Sequence, residues 1–455
     1  MRYLRNALII SFVAALATSA AHAANRNTAG KEEPIPEPMP PGFQVVVTEL
    51  EGPVFADAQG YTFYKWPKSQ HRQGETGEVP GKPTCADNIY RESAGFMSPY
   101  PGGFELPEVD TRVSCDRVFP PVLAADDAKA VGKWGITTRL DGRKQWTYDG
   151  WSLYTSVLDK KSGDVNGGSA MSFSGDGGSW RHPVVPKPNI PAQFSVHTTI
   201  TGRMIGTRDD WSVYSYDGDS RNKSNCMGAC LDEWTPILAA NYARPVGEWT
   251  IFERTPGVHQ WAFRGKPLYR RNDDAGTGSQ NGSDQPGWHN VYTQMAPPPP
   301  KGFVLKDTMI GVVLGDANGR TIYEYHCVED TLDAQLCDHP DTPQAYRIGV
   351  CGGGNVDRCV KAFPYVIAPA GAKSGSQLWS TMYVNPKTGK KAKEGDAGAL
   401  HVWTYRDRPV YTFAGTETYG DKKPQDMLAH AWGEFTGMRN GFRAFVYRDL
   451  FGNVQ

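Results

Sequence analysis

The sequence has no excess of charge of either sign. Its 48 lysines and arginines nearly balance 49 aspartates and glutamates, so there is no basic field to hold nucleic acid and no acidic tail. No apolar run is long enough to cross a bilayer. The eight cysteines form no Cys-x-x-Cys and no Cys-x-x-Cys-His, which argues against the usual thiolate metal site and covalent haem attachment. Gly-x-Ser-x-Gly and His-Glu-x-x-His are also missing, so the familiar hydrolase signatures are absent. Gly352-Gly-Gly354 lacks a strand-to-helix context and does not read as a phosphate loop. What the 455 residues do carry is punctuation and aromatic surface: 50 glycines, 34 prolines, 13 tryptophans and 21 tyrosines. Such a chain is too aromatic for disorder and too interrupted for helical bundles or doubly wound α/β folds. At roughly 150 residues per domain its length suggests about three domains.

Residues 1–23 have the layout of an export signal. Arg2 and Arg5 precede a mostly apolar run from Ala7 to Ala17, and Ala21-His22-Ala23 fits the small-x-small rule for cleavage before Ala24. No cysteine near that site offers lipid attachment, and no twin arginine is present. The sequence therefore predicts a soluble exported product, periplasmic or secreted. In an oxidising compartment the cysteines default to disulfides. These are Cys85, Cys115, Cys226, Cys230, Cys327, Cys337, Cys351 and Cys359.

Proline clusters at 34–41, 186–191 and 297–300 read as stiff linkers. After the linker of residues 24–41 they bound three segments, 42–185, 192–294 and 301–455. The segments resemble one another. Asp57-Ala-Gln-Gly-Tyr-Thr-Phe-Tyr64 matches Asp316-Ala-Asn-Gly-Arg-Thr-Ile-Tyr323, with Arg208-Asp-Asp-Trp-Ser-Val-Tyr214 between them. Cys115-Asp-Arg-Val-Phe-Pro-Pro-Val-Leu123, Cys230-Leu-Asp-Glu-Trp-Thr-Pro-Ile-Leu238 and Cys359-Val-Lys-Ala-Phe-Pro-Tyr-Val-Ile367 form a second set. Each segment also repeats itself within. Gln145-Trp-Thr-Tyr-Asp-Gly-Trp-Ser-Leu-Tyr154, Gln260-Trp-Ala-Phe-Arg-Gly-Lys-Pro-Leu-Tyr269 and Val402-Trp-Thr-Tyr-Arg-Asp-Arg-Pro-Val-Tyr411 place Asp-Gly, Arg-Gly and Arg-Asp where a two-residue hairpin turn belongs. The tyrosines at 64, 154, 214, 269, 323 and 411 thus mark six related hairpin units. The expected fold is all-β: three tandem small β-sandwich or barrel-like domains of two units each. A six-unit propeller-like ring is the alternative, and the linkers after every second unit argue against it.

These motifs resemble the bacterial "secreted repeat of unknown function" family, predicted lipoproteins with a Tyr-x-(Phe/Trp/Tyr)-x-x-Asp motif. That motif is complete once, as Tyr214-Ser-Tyr216-Asp-Gly-Asp219. The family's Cys-x-x-x-Cys and Trp-Pro-Pro-Leu are similar to Cys226-Met-Gly-Ala-Cys230 and Trp234-Thr-Pro-Ile-Leu238, and Gly265-Lys-Pro-Leu-Tyr269 matches its half-repeat. The resemblance implies an exported all-β protein and no particular reaction.

Alignment of the segments makes Cys115, Cys230 and Cys359 equivalent. Their partners are then Cys85, Cys226 and one of the remaining cysteines. A weak match favours Cys337–Cys359 with Cys327–Cys351, although four cysteines allow three pairings. Recurrent tryptophans at 134, 249 and 379, and at 146, 261 and 403, read as core. Trp180, Trp288 and Trp432 are less regular and are the candidate ligand-facing aromatics. His326-Cys327 with Cys337-Asp-His339 has the residue types of a zinc site, but oxidised thiols would not ligate. Asp217, Asp219, Asp273 and Asp274 offer oxygen ligands to Ca²⁺ without the Asp-x-Asp-x-Asp-Gly loop, so solvated turn acids are the favoured reading. No cofactor is expected. Three functions remain. The first is a non-catalytic protein that binds or scaffolds an envelope component or small ligand. The second is a redox- or metal-linked accessory, and the third a carbohydrate-binding or carbohydrate-acting protein with dispersed carboxylates.

Overall fold

The computed structural model describes residues 32–65, 78–87, 114–168, 182–274, 276, 278–308, 310–325, 360–361, 363–373, 375–414, 442–449 and 451–454. The export signal and its cleavage site fall outside these residues, as do Cys327, Cys337, Cys351, Cys359, Trp180, Trp432, His326 and His339.

The chain is all-β, built from short antiparallel ladders. The first two segments hold three sheets each, and the third holds two, one of them a six-stranded sheet that joins what are separate sheets in the others. The first sheet of each opens on a hairpin: Gln44–Val47 with Pro53–Ala56, Phe194–Thr199 with Gly202–Thr207, and Val304–Thr308 with Gly311–Gly315. Thr48, Thr199 and Thr308 close its three tips alike, each hydroxyl donating to the carbonyl of the glycine that ends the turn. The second sheet joins Trp134–Thr138 to Lys144–Tyr148 and Trp151–Ser152, Trp249–Thr255 to Val258–Phe263 and Lys266–Pro267, and Trp379–Val384 to Leu400–Tyr405 and Arg408–Tyr411. Its tight turns have positive φ at both central residues, Asp149-Gly150, Arg264-Gly265 and Arg406-Asp407. That is the two-residue turn whose twist suits a hairpin, and it explains the Asp-Gly, Arg-Gly and Arg-Asp pairs seen in sequence. Every strand ladder stays inside one segment, and among the described residues no sheet closes into a barrel. The all-β expectation holds, in several small antiparallel sheets whose edges stay open among the described residues.

Trp134, Trp249 and Trp379 lie at the start of the second sheet and are almost wholly buried. Each packs on the phenylalanine that opens its segment, Phe43, Phe194 or Phe303, and the same ring touches Trp146, Trp261 or Trp403. Truncating one of these tryptophans to alanine is expected to cost about 3–5 kcal/mol.

The segments are also bound to one another. Glu51 and Arg406 form an ion pair of 2.5 Å with side chains at most 1 % exposed. Glu49 accepts the N–H groups of Gln377 and Leu378, and Leu50 enters one apolar cluster with Ile200, Met204, Leu314 and Trp379. Near the N-terminus Glu32 pairs with Arg203 at 2.6 Å, while Ser279 bridges to Asn453.

Candidate functional site

The polar interior of the first two segments follows one plan. The two unit tyrosines of each segment face each other: Tyr64 bridges Tyr154, and Tyr214 pairs with Tyr269. Tyr323 and Tyr411 do the same in the third. All six are buried. Their hydroxyls therefore need partners inside the protein.

Those partners are exchanged between the halves of a segment. Tyr64 donates to Asp159 Oδ2 at 2.8 Å, although 95 residues separate them. Tyr154 donates in return to Glu78. In the second segment Tyr269 donates to Asp219 Oδ2 at 2.8 Å. Tyr214 donates to the Ser279 carbonyl at 2.9 Å, and the Ser279 hydroxyl donates to Asp274. Asp159, Asp219 and Asp274 each stand five residues after a unit tyrosine, at 154, 214 and 269. The family motif's acid thus answers the tyrosine of the other half rather than its own. Gly167 and Gly282 bring their N–H groups onto the Tyr64 and Tyr214 hydroxyls. A Cβ at either position would lie within 2.8 Å of the tyrosine ring, so the close approach requires glycine.

Each network runs on into a disulfide. Glu78 accepts the N–H groups of Thr84 and Cys85, and Cys85 is bonded to Cys115. Asp219 accepts the Asn225 N–H at 2.7 Å, and the next residue, Cys226, is bonded to Cys230. An arginine closes both circuits. Arg139 donates to Gln145 Oε1 at 2.8 Å and to the Cys85 carbonyl at 3.0 Å. Arg254 donates to Gln260 Oε1 at 2.9 Å and to the Cys226 carbonyl. Each glutamine also donates at 2.8 Å to a backbone carbonyl, of Leu153 or Leu268.

Burial sets the electrostatics. It pushes the carboxyls of Glu78, Asp159, Asp219 and Asp274 up from their ordinary range. Burial also raises the Tyr269 hydroxyl to about 12, and the more deeply enclosed Tyr154 further. These tyrosines stay protonated at neutral pH and act as donors. The arrangement orders loops and binds protons tightly. Its groups hold one another.

Of the residues singled out in sequence, Cys85, Cys115, Cys226 and Cys230 form the two aligned bonds. Trp288 is 5 % exposed. Trp234 stacks on it at 3.5 Å and Tyr216 at 4.7 Å, with Tyr269 at its edge. Its flat faces are occupied, which corrects its assignment as a ligand-facing ring. The four acids weighed as oxygen ligands diverge: Asp217 pairs with His289 at 2.7 Å, Asp219 with Tyr269, Asp273 with Arg271 and Asp274 with Ser279. Among the described residues no group of three or more His, Cys, Asp or Glu is placed to hold a metal ion. Sequence reasoning passed over the Arg–Gln pairs. Their signal was available, because Arg139 and Arg254 each follow a core tryptophan by five residues.

With this geometry in hand, the comparisons with known proteins are specific. The model of a family described as a secreted repeat of unknown function matches residues 135–180 and 195–237. The first match is the second half of one segment and the other is the first half of the next. Tyr154 with Asp159 and Tyr214 with Asp219 lie at the same distances, 19 and 24 residues, after the starts of the two matched stretches, in opposite halves of their segments. No curated protein and no solved structure matches the chain. No helix among the described residues is long and apolar enough to cross a membrane.

Proposed function

We propose that this is an exported, non-catalytic protein of the bacterial envelope, released into the periplasm by cleavage before Ala24. Three repeat domains, 42–185, 192–294 and 301–455, would bind or scaffold another envelope component. One observation carries the binding reading. Leu123, Leu238 and Ile367 occupy the same place in the three segments and are 46 %, 47 % and 56 % exposed. Their backbone bridges are equivalent too, to Gln145, Gln260 and Val402. A single exposed leucine is ordinary, but an apolar side chain kept at one aligned surface position three times is not explained by the core. Three weak apolar contacts on one chain reinforce each other through effective concentration. The inward-turned tyrosine, carboxylate and arginine groups support the non-catalytic part of the reading.

The test places a photo-crosslinking residue at Leu238 in the full chain and irradiates intact envelopes. An adduct with a defined envelope component is expected, and the triple variant Leu123→Lys, Leu238→Lys, Ile367→Lys should lose it. Equal adducts from the triple variant would remove the binding surface. Turnover of an envelope polysaccharide by the purified protein would remove the non-catalytic reading. N-terminal sequencing of the exported product should begin at Ala24.

A further inference from the structure

We propose that Cys226–Cys230 is a thiol–disulfide exchange site, open to an external thiol, whose reduction releases the hold of Asp219 on Tyr269. This goes beyond the binding reading and does not depend on it.

Four observations converge. Cys230 is partly exposed, and the intervening Met227, Gly228 and Ala229 are exposed, whereas Cys226 is 1 % exposed. An incoming thiolate therefore meets the Cys230 sulfur first. Arg254 lies on the Cys226 side of the bond, donating to the Cys226 carbonyl and lying 3.3 Å from the Met227 sulfur. A fixed positive charge there favours Cys226 as the departing thiolate. Asp219 is the opposing charge: its carboxylate accepts the N–H of Asn225, next to Cys226. It is also tied to Tyr269, which shares a 2.6 Å hydrogen bond with Ser224. The span 224–226 is thus fastened at one end by the disulfide and at the other by the tyrosine lock. Finally, the bond links residues only 4 apart, so opening it restores little chain entropy to the unfolded state and the fold survives.

The step balances as follows. An external thiolate attacks Cys230 Sγ, the Cys226–Cys230 bond breaks, and its electron pair leaves on Cys226 Sγ. A second thiol attacks the outer sulfur of the mixed disulfide and releases Cys230. One external disulfide forms from two thiols, whose protons end on Cys226 and Cys230.

The equivalent bond supplies the internal control. Cys85 and Cys115 are 1 % and 0 % exposed, in a cluster with Val118, Phe119, Tyr154 and Leu158. The experiment treats the folded full chain with reduced glutathione at neutral pH, traps thiols with iodoacetamide and maps peptides by mass. Label at Cys226 and Cys230 is expected while Cys85–Cys115 stays bonded, with glutathione found on Cys230. Tryptophan emission should rise with the same half-time, since Cys226 and Cys230 pack with Trp234 and Trp288 and a disulfide quenches nearby indoles. Opening of both bonds at one rate, opening only in denaturant, or glutathione on Cys226 would each overturn the proposal. Arg254→Gln separates charge from packing. Stabilisation of the departing thiolate predicts opening about threefold slower or more, with Arg254→Lys restoring part of the rate. Faster opening would show that Arg254 merely holds the loop and would overturn its assigned role.

Discussion

Glu78 and Asp219 hold the same post in neighbouring segments. Each accepts the hydroxyl of the second-half tyrosine and backbone N–H groups at the first cysteine of a disulfide, and each has an arginine–glutamine pair beside it. Their surroundings differ. The Glu78 network is sealed: Glu78, Cys85, Cys115 and Tyr154 are at most 2 % exposed, as is the Arg139 side chain. The Asp219 network reaches the surface through Asp219, Cys230 and Arg254. The two copies thus share wiring but not burial. One copy lies in a core, while its twin has a partly exposed rim. The third segment lacks the arginine–glutamine pair. Val384 and Val402 stand where the arginine and glutamine do, and both are fully buried in an apolar cluster with Tyr323, Tyr365 and Tyr411.

Removing each disulfide breaks the comparison hardest. The Cys85–Cys115 bond spans 30 residues and Cys226–Cys230 spans 4. Loop entropy then predicts that Cys85→Ser with Cys115→Ser loses about 3.6 kcal/mol, against about 1.9 kcal/mol for Cys226→Ser with Cys230→Ser. Denaturant midpoints of the two double variants check the order. Next come the arginines. Arg139→Met strands Gln145 and the Cys85 carbonyl in a dry interior and should cost about 3 kcal/mol. Arg254 is itself partly exposed, so Arg254→Met opens a path for water to Gln260 and the Cys226 carbonyl, which are buried beneath it, and should cost about 1 kcal/mol. Equal losses would show that burial does not separate the twins. The tyrosines give a smaller contrast: Tyr154→Phe removes a buried donor to the sealed Glu78 carboxylate, about 2 kcal/mol, and Tyr269→Phe about 1 kcal/mol, because the Asp219 carboxylate is only half-buried and water can take the place of the lost donor. Urea unfolding of the pair measures the difference.

Much of the scaffold was legible because hairpin chemistry is local. Asp149-Gly150 and Arg264-Gly265 announce their turns, the alternating residues announce the strands beside them, and the aligned cysteines named two bonds. The exchanged tyrosine contacts were not legible. Asp159 and Asp219 sit near their own tyrosines in sequence and look like turn acids, while the hydroxyls they accept come from 95 and 50 residues away. Glu78 lies in an insertion where no spacing rule applies. Trp288 looked free because it fits no register, yet irregular position says nothing about burial: it fills the gap between Trp234 and Tyr216. Closure of the sheets was likewise beyond reach, since it depends on whether edge strands far apart in sequence pair with each other.

The gentlest probe of the contrast is protonation. Burial raises the Glu78 carboxyl above its ordinary 4.5, so the folded state holds this proton more tightly than the unfolded chain does. The stability it contributes is fully present below about 4.5 and is lost as pH rises through the folded value. Glu78→Gln keeps an oxygen for Thr84, Cys85 and Tyr154 but cannot titrate. The melting temperature of the natural protein minus that of Glu78→Gln should therefore increase as pH falls from 7 towards 4.5. His182, which burial holds down near 3, and Asp159 titrate in both proteins and cancel in the difference. Asp219 is also raised by burial, from 3.8, but is only half-buried. The same subtraction for Asp219→Asn should then give a change of the same sign and smaller size. A larger change at Asp219 would place the drier carboxylate in the second segment and reverse the comparison.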